Sequence, residues 1–447
     1  MIRRHSLEFL SQWKESKWRK PLVIRGARQV GKTTLVKEFS KQYDVFIELN
    51  LENESDRMLF DQYNDVHELI NAIFFHKEEK INGNSILIFI DEIQFSKPAV
   101  AILRYFYEEA NHIHVVVAGS LLETVIDLRK ISFPVGRVQY MALRPCSFLE
   151  FLDGMGKTFD IELIQNLQVE PVVHLRVMKA FRSYTLVGGM PAAISQYAEN
   201  SDILSVKDVY DSLLVSYKED VEKYTKNANL ARIIHSILSV GWQSAGEIIT
   251  FERFGGTSYS SKEIGEAFQT IKKAMLLDLI YPTSETRMPL LQNFRKRPKL
   301  IWLDTGLVNY VAGIQKDVFS VTDIQDVWRG RIAEHIVAQE LFTLDDSLLY
   351  KRIFWKRDKH GSEAEVDFVF PYNSLAIPIE VKSGHNSKLK SLHLFMDEAP
   401  HDIAVRVWSN PFSIDEVSTP KGKKFKLINL PFYYVGVLNK VLDKYLL

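Results

Sequence analysis

Between a short apolar run, Pro21–Arg25, and a segment of helical spacing, Thr33–Gln42, the chain reads Gly26-Ala27-Arg28-Gln29-Val30-Gly31-Lys32-Thr33. No other feature narrows the fold so far. The two glycines let the backbone wrap an anion, and the N–H groups at the start of the following helix point at it. Strand, loop and helix in this order form the phosphate-binding unit of a parallel α/β sheet. Lys32 is placed to reach the β- and γ-phosphates of ATP and Thr33 to ligate Mg²⁺, while the rest of the loop and Thr34 line the nucleotide.

The remainder of the first 150 residues keeps the alternation that such a sheet needs. Val45–Leu51, Ile86–Asp91, His114–Gly119 and Val138–Leu143 read as buried strands, and Val66–Lys80 and Pro98–Ala110 as helices between them. This predicts a three-layer P-loop NTPase domain. The run Ile86–Ile90 ends in Asp91-Glu92. Asp91 is positioned to support Mg²⁺ and Glu92 to orient the attacking water; the competing role is an acidic cap on a helix. The strand Val45–Leu51 lies between the P-loop helix and the acidic strand. That leaves a strand for insertion between those two in the sheet, the arrangement of P-loop ATPases with an additional catalytic glutamate. Ser120, at the end of the next strand, is a candidate γ-phosphate sensor or a helix cap. Arg137 is a candidate transition-state arginine, acting in cis or on a neighbouring subunit of a homo-oligomer.

These landmarks, with Ile90-Asp91-Glu92-Ile93-Gln94, Ala118-Gly119-Ser120, Gly136-Arg137 and Leu143-Arg144-Pro145, resemble prokaryotic AAA-like ATPases that carry a C-terminal domain of unknown function. Gly188-Gly189-Met190-Pro191, Pro298–Gly306 and Ile379–Gly384 fit the later landmarks of the same family, with Met190 where an aromatic is usual. The resemblance implies ATP binding and hydrolysis and leaves the cellular role open.

Beyond residue 150 the sequence turns helical, and Ser260–Leu277 is the clearest helix, with Ile264, Phe268, Ile271 and Met275 on one face. Helices followed by a hairpin at 225–312 suggest a winged-helix module. Arg287, Arg295, Lys296, Arg297 and Lys299 make its hairpin basic with no acid among them, as a DNA-contacting wing would be. A solvated loop is the plainer alternative.

The last part combines a helix, Gly330–Phe342, with strand-like runs at Ile353–Arg357, Ala364–Phe370, Leu375–Val381 and Ile403–Ser409. Glu380 and Lys382 share one strand face, and Asp367 falls in the preceding strand. Asp367, Glu380 and Lys382 resemble the core of the PD-(D/E)xK nucleases. That resemblance implies a further glutamate from a preceding helix, with Glu334 in that place and Glu340 as second choice. Glu334, Asp367 and Glu380 would then hold Mg²⁺ and Lys382 would position water. An ion pair on half-exposed strands, or a nuclease fold retired to binding, are the alternatives. Lys351, Arg352, Lys356, Arg357 and Lys359, with Trp355 among them, form a second basic, aromatic-interleaved stretch suited to DNA.

The expected organisation is therefore a P-loop core at 1–150, a helical lid at 151–225, a winged-helix-like part at 226–325 and a nuclease-like α+β part at 326–447. One cysteine, Cys146, rules out an internal disulfide, and no apolar run reaches membrane-span length. No signal peptide is evident, so a cytoplasmic location is expected. Basic and acidic residues cancel, 56 against 56, which excludes a uniformly basic coat and leaves room for confined patches. The leading reading is an ATPase coupled to DNA. The rival is a nucleotide-dependent switch or scaffold for a protein partner.

Overall fold

The computed structural model describes residues 2–80, 85–119, 133–313, 330–357, 364–382 and 389–446. Five strands, β1 (Leu22–Arg25), β2 (Val45–Asn50), β3 (Ile86–Asp91), β4 (Ile113–Gly119) and β5 (Gln139–Ala142), form an all-parallel sheet in the order β2-β3-β4-β1-β5. Successive residues of a strand face opposite ways, and here both faces are apolar. Leu22 and Ile24 of β1 and Leu87 and Phe89 of β3 join one core with helices Ser6–Glu15 and Lys32–Phe39. Val23, Ile86, Ile88 and Ile90 join a second core with helices Glu54–Gln62, Val66–His76 and Lys97–Glu108. The result is the three-layer P-loop NTPase domain. The strand inserted between β1 and β3 is β4, not Val45–Asn50 (β2), which lies at the sheet edge beside β3.

The first of these cores does not stop at the sheet. It continues through helices Phe148–Gly154, Pro171–Val187, Lys207–Tyr224, Ala228–Val240 and Ser261–Lys273 and on into the C-terminal strands. After Lys273 come β6 (Leu277–Ile280), β7 (Pro282–Thr283) and β8 (Lys299–Trp302), with β6 and β8 antiparallel. The helix expected to run to Leu277 ends four residues earlier. Met275 adopts φ +60°, which no helix accepts, and Leu277 already belongs to β6.

The last part adds helix Arg331–Phe342, then β9 (Phe354–Lys356), β10 (Glu365–Val366), β11 (Phe368–Tyr372), β12 (Leu375–Val381), β13 (Ile403–Trp408), β14 (Ser413–Ser418) and β15 (Lys424–Pro431). A mixed sheet runs β11-β12-β13-β15-β14, with helix Lys390–Glu398 crossing from β12 to the parallel β13. β7 pairs in parallel with β9, so the middle and C-terminal parts share a small sheet, β10-β9-β7. β14 and β15 are absent from the sequence reading. β14 is a largely polar edge strand, Ser-Ile-Asp-Glu-Val-Ser, whose composition resembles a loop. Among the described residues no helix is long and apolar enough to cross a membrane.

Candidate nucleotide site and a buried acidic cluster

The P-loop leaves the carboxyl end of β1 and closes on helix Lys32–Phe39, whose N-cap, Gly31, has φ +96°. A side chain at Gly26 would meet the Leu143 carbonyl at 2.6 Å, so the loop can take this path only with glycine there. The Lys32 ammonium is buried and donates to the Gly26 and Ala27 carbonyls, each at 3.0 Å. Burial outweighs the nearby Glu92 and Asp91 and brings its pKa down to about 8. The Thr33 hydroxyl donates to Asp91 Oδ2 at 2.6 Å, and the other Asp91 oxygen accepts the Glu92 N–H at 3.0 Å. Glu92 turns out of β3 with φ +51°, and its carboxylate accepts from the Gln94 amide. Burial raises the Glu92 carboxyl above its ordinary value, with repulsion from Asp91 adding to it and the Gln94 hydrogen bond opposing it.

Lys32, Thr33, Asp91 and Glu92 are thus brought together at the carboxyl ends of β1 and β3. Thr33 and Asp91 present two adjacent hard oxygen donors, which suits Mg²⁺. Ser120 lies outside the described residues. Arg137 lies elsewhere. It precedes β5 at the amino end of the sheet, where its Nε pairs with Glu108 at 2.6 Å, a strand's length from the P-loop. Within one chain it does not reach the nucleotide site. The Arg28 side chain turns away from the loop and pairs with buried Asp220 of helix Lys207–Tyr224 at 2.7 Å.

Two supports of this site carry no sequence signal. Gln94 lies within the Ile90–Gln94 motif with no role of its own there, and Arg4 precedes any motif. Arg4 is buried, donates to the Val30 carbonyl at 2.8 Å and the Arg144 carbonyl at 2.5 Å, and pairs with Glu150 at 3.0 Å. It therefore fixes the far side of the P-loop to helix Phe148–Gly154.

In the C-terminal part Glu334, Asp367, Glu380 and Lys382 converge, from helix Arg331–Phe342, the β10–β11 junction and β12. Asp367 accepts the Val381 N–H at 2.7 Å, and Lys382 pairs with Glu380 at 2.7 Å. A residue from the middle part enters the same cluster. Lys299, at the start of β8, is buried and its ammonium lies 2.8 Å from Glu334, 2.7 Å from Glu365 and 3.6 Å from Asp367. Those carboxylates more than offset the cost of burial and hold Lys299 firmly protonated. Burial and the neighbouring Asp367 raise the Glu334 carboxyl to about 7 and the Glu380 carboxyl, whose second oxygen is buried without a partner, to about 8. Two ammoniums, of Lys299 and Lys382, offset much of the cluster's negative charge. The expected metal set does not fit as arranged, because an ammonium already bridges two of its three acids. Among the described residues no group of three or more His, Cys, Asp and Glu is arranged to hold a metal.

Glu340 faces away from this cluster. It accepts the Phe148 N–H at 3.0 Å and the Tyr184 hydroxyl at 2.8 Å, and burial raises it to about 7.

The two basic stretches fare differently from the sequence expectation. Arg295, Lys296 and Arg297 are exposed in the β7–β8 connection, but Lys299 is not on that surface. In the second stretch Trp355 is fully buried, with its indole N–H donating to the Ser284 carbonyl at 3.1 Å, so its ring cannot stack on a base. Arg352 is buried against Asp278, and Arg357 pairs with Glu398 at 3.1 Å. Of that stretch Lys351 remains exposed and Lys356 half-buried, and Lys359 lies outside the described residues.

Sheet order, P-loop and the Asp91–Glu92 pair together define residues up to about 150 as a P-loop ATPase domain of the AAA type. Residues 18–152 match a family model described as an AAA domain. Residues 178–318 and 329–432 match two models described as domains of unknown function. No curated protein matches the chain. Among solved structures, the Walker-type ATPase PABY2304 of Pyrococcus abyssi aligns at 13% identity and TM-score 0.45, over 70% of this chain and 96% of its own. The Aeropyrum pernix ORC1 protein, solved in complex with DNA, aligns at 12% identity and TM-score 0.28, over 72% of this chain and 95% of its own. The Thermotoga maritima RuvB Holliday junction branch migration motor aligns at 14% identity and TM-score 0.28, over 67% and 92%.

Proposed function

We propose that the protein is a Mg²⁺-dependent ATPase whose nucleotide state is coupled to DNA through its middle and C-terminal parts. The observation that carries the ATPase reading is the contact of Thr33 with Asp91 beside a half-buried Glu92 that Gln94 holds in place. Lys32 and the loop N–H groups hold the phosphates, and Thr33 and Asp91 would hold Mg²⁺, which when bound neutralises phosphate charge. Glu92 orients the attacking water and accepts its proton, a role its raised basicity suits. Replacing Glu92 with Gln should lower phosphate release by about 100-fold or more with ATP binding retained. Unchanged turnover would remove Glu92 from this role.

Helices Ala228–Val240 and Ser261–Lys273 followed by the β6–β8 hairpin support a winged-helix reading, with Arg295–Arg297 exposed in the connection just before β8. DNA contact there would be electrostatic and salt-sensitive. ATP turnover measured with single-stranded, duplex and branched DNA tests the coupling, and a flat response favours a switch that serves a protein partner.

The hairpin β11–β12, helix Lys390–Glu398 and parallel β13 support a PD-(D/E)xK-like architecture for the C-terminal part. Lys299 in the acidic cluster favours the reading in which this part binds rather than cleaves. We expect no cleavage of any of those DNA forms with Mg²⁺ or Mn²⁺. Cutting that is lost in an Asp367→Ala, Glu380→Ala variant would overturn it.

A further inference from the structure

A cavity of about 390 Å³ lies where the P-loop, the β6–β8 hairpin and the C-terminal part meet, a volume in the range that holds small ligands. Ala27 of the P-loop forms part of its wall. Its charge is one-sided. The single acid in the lining, Asp278, is taken up by Lys272 at 2.7 Å and Arg352 at 2.8 Å. That leaves Arg144 on the wall and Lys351 exposed at its rim.

Arg144 is the telling residue. Its Nε is buried without a hydrogen-bond partner, the Phe342 ring lies 3.6 Å from the guanidinium carbon, and Arg352 and the carboxylates of Asp278, Asp345 and Asp346 are close enough to act on its charge. Arg144 is half-buried, but an N–H shut off from water without an acceptor is costly, and desolvation together with repulsion from Arg352, only partly offset by Asp278, Asp346 and Asp345, draws its pKa down to about 9. Tyr281, Phe294 and Tyr350 add flat apolar wall. An anion placed against Arg144 would supply the missing acceptors in a fork geometry suited to phosphate or carboxylate.

We propose that this cavity is a second ligand site, for a small anion that carries a flat ring, the class to which nucleoside monophosphates belong. The anion pairs with Arg144 and the ring packs on the aromatic wall. Because Ala27 is shared, occupancy would bear on the P-loop from behind. The inference rests on the cavity alone and stands whether or not the protein acts on DNA.

Calorimetric titration of a Lys32→Ala protein, in which the P-loop is disabled, tests it with AMP, GMP and inorganic phosphate as probes. One mononucleotide should bind per chain. Adding Arg144→Gln should weaken it by about tenfold or more, and adding Lys351→Glu at the exposed rim, where packing is not at stake, by several-fold. No binding of either nucleotide at millimolar concentration, or full affinity in both added variants, would overturn the site. Inorganic phosphate binding as tightly as the nucleotides would overturn the role of the ring.

Discussion

Two buried lysines carry opposite shifts, and the contrast shows what each is for. Lys32 has backbone carbonyls as its nearest partners, and its pKa falls to about 8. Between that value and the ordinary 10.5, the unfolded chain holds a proton that the folded chain has released. Folding stability therefore gains as pH rises through this window. Affinity for ATP moves the other way, because only the ammonium attracts phosphate. Titrations at pH 7 and 9.5 should show weaker ATP binding at the higher pH, and Lys32→Met should bind weakly with no such difference. Lys299 is held by three carboxylates instead. Lys299→Met should cost about 3 kcal/mol in denaturant unfolding, because acids would be left buried and unpaired. Adding Glu334→Gln should restore part of it. The first lysine was plain in the sequence because its motif is local. The second was misread as a wing residue, since its partners lie 35 to 68 positions away and no spacing announces them.

Helix Arg331–Phe342 is the element through which distant parts touch. Glu334, in its first turn, meets Lys299 of the hairpin, and Glu340, in its last, caps Phe148 and Tyr184 beside the ATPase domain. The sequence offered both glutamates for one role, and the helix separates them: six residues apart, they fall on different faces. Glu340, at about 7 in the fold and 4.5 unfolded, binds more protons when folded, so its contribution to stability is lost as pH rises from about 4.5 through 7. Glu340→Gln keeps an acceptor for the Phe148 N–H and removes the charge. It should flatten that part of the pH profile and be at least as stable as the parent at pH 8. Glu340→Ala should lose about 2 kcal/mol, because the buried N–H is orphaned. Strands with both faces apolar, such as β3 and β4, were legible to within a residue. The polar β14 and the two-residue β7 were not, since pairing rather than composition makes them strands.

At the scale of the molecule, the position of Arg137 at the amino end of the sheet leaves it a catalytic role only toward a second copy. If it has that role, mixing the inactive Glu92→Gln and Arg137→Ala proteins should restore part of the turnover, and no recovery would confine Arg137 to its pair with Glu108. The pairing of β7 with β9 has its own consequence for dissecting the chain. A truncation after residue 325 would strip β7 of its neighbour and Lys299 of Glu334, Glu365 and Asp367 and of the Phe354 and Phe368 rings around it. The ATPase domain is outlined by its own motifs, but the hairpin beside it is completed only by residues 334–367. During synthesis the middle of the chain therefore waits for a stretch made after it.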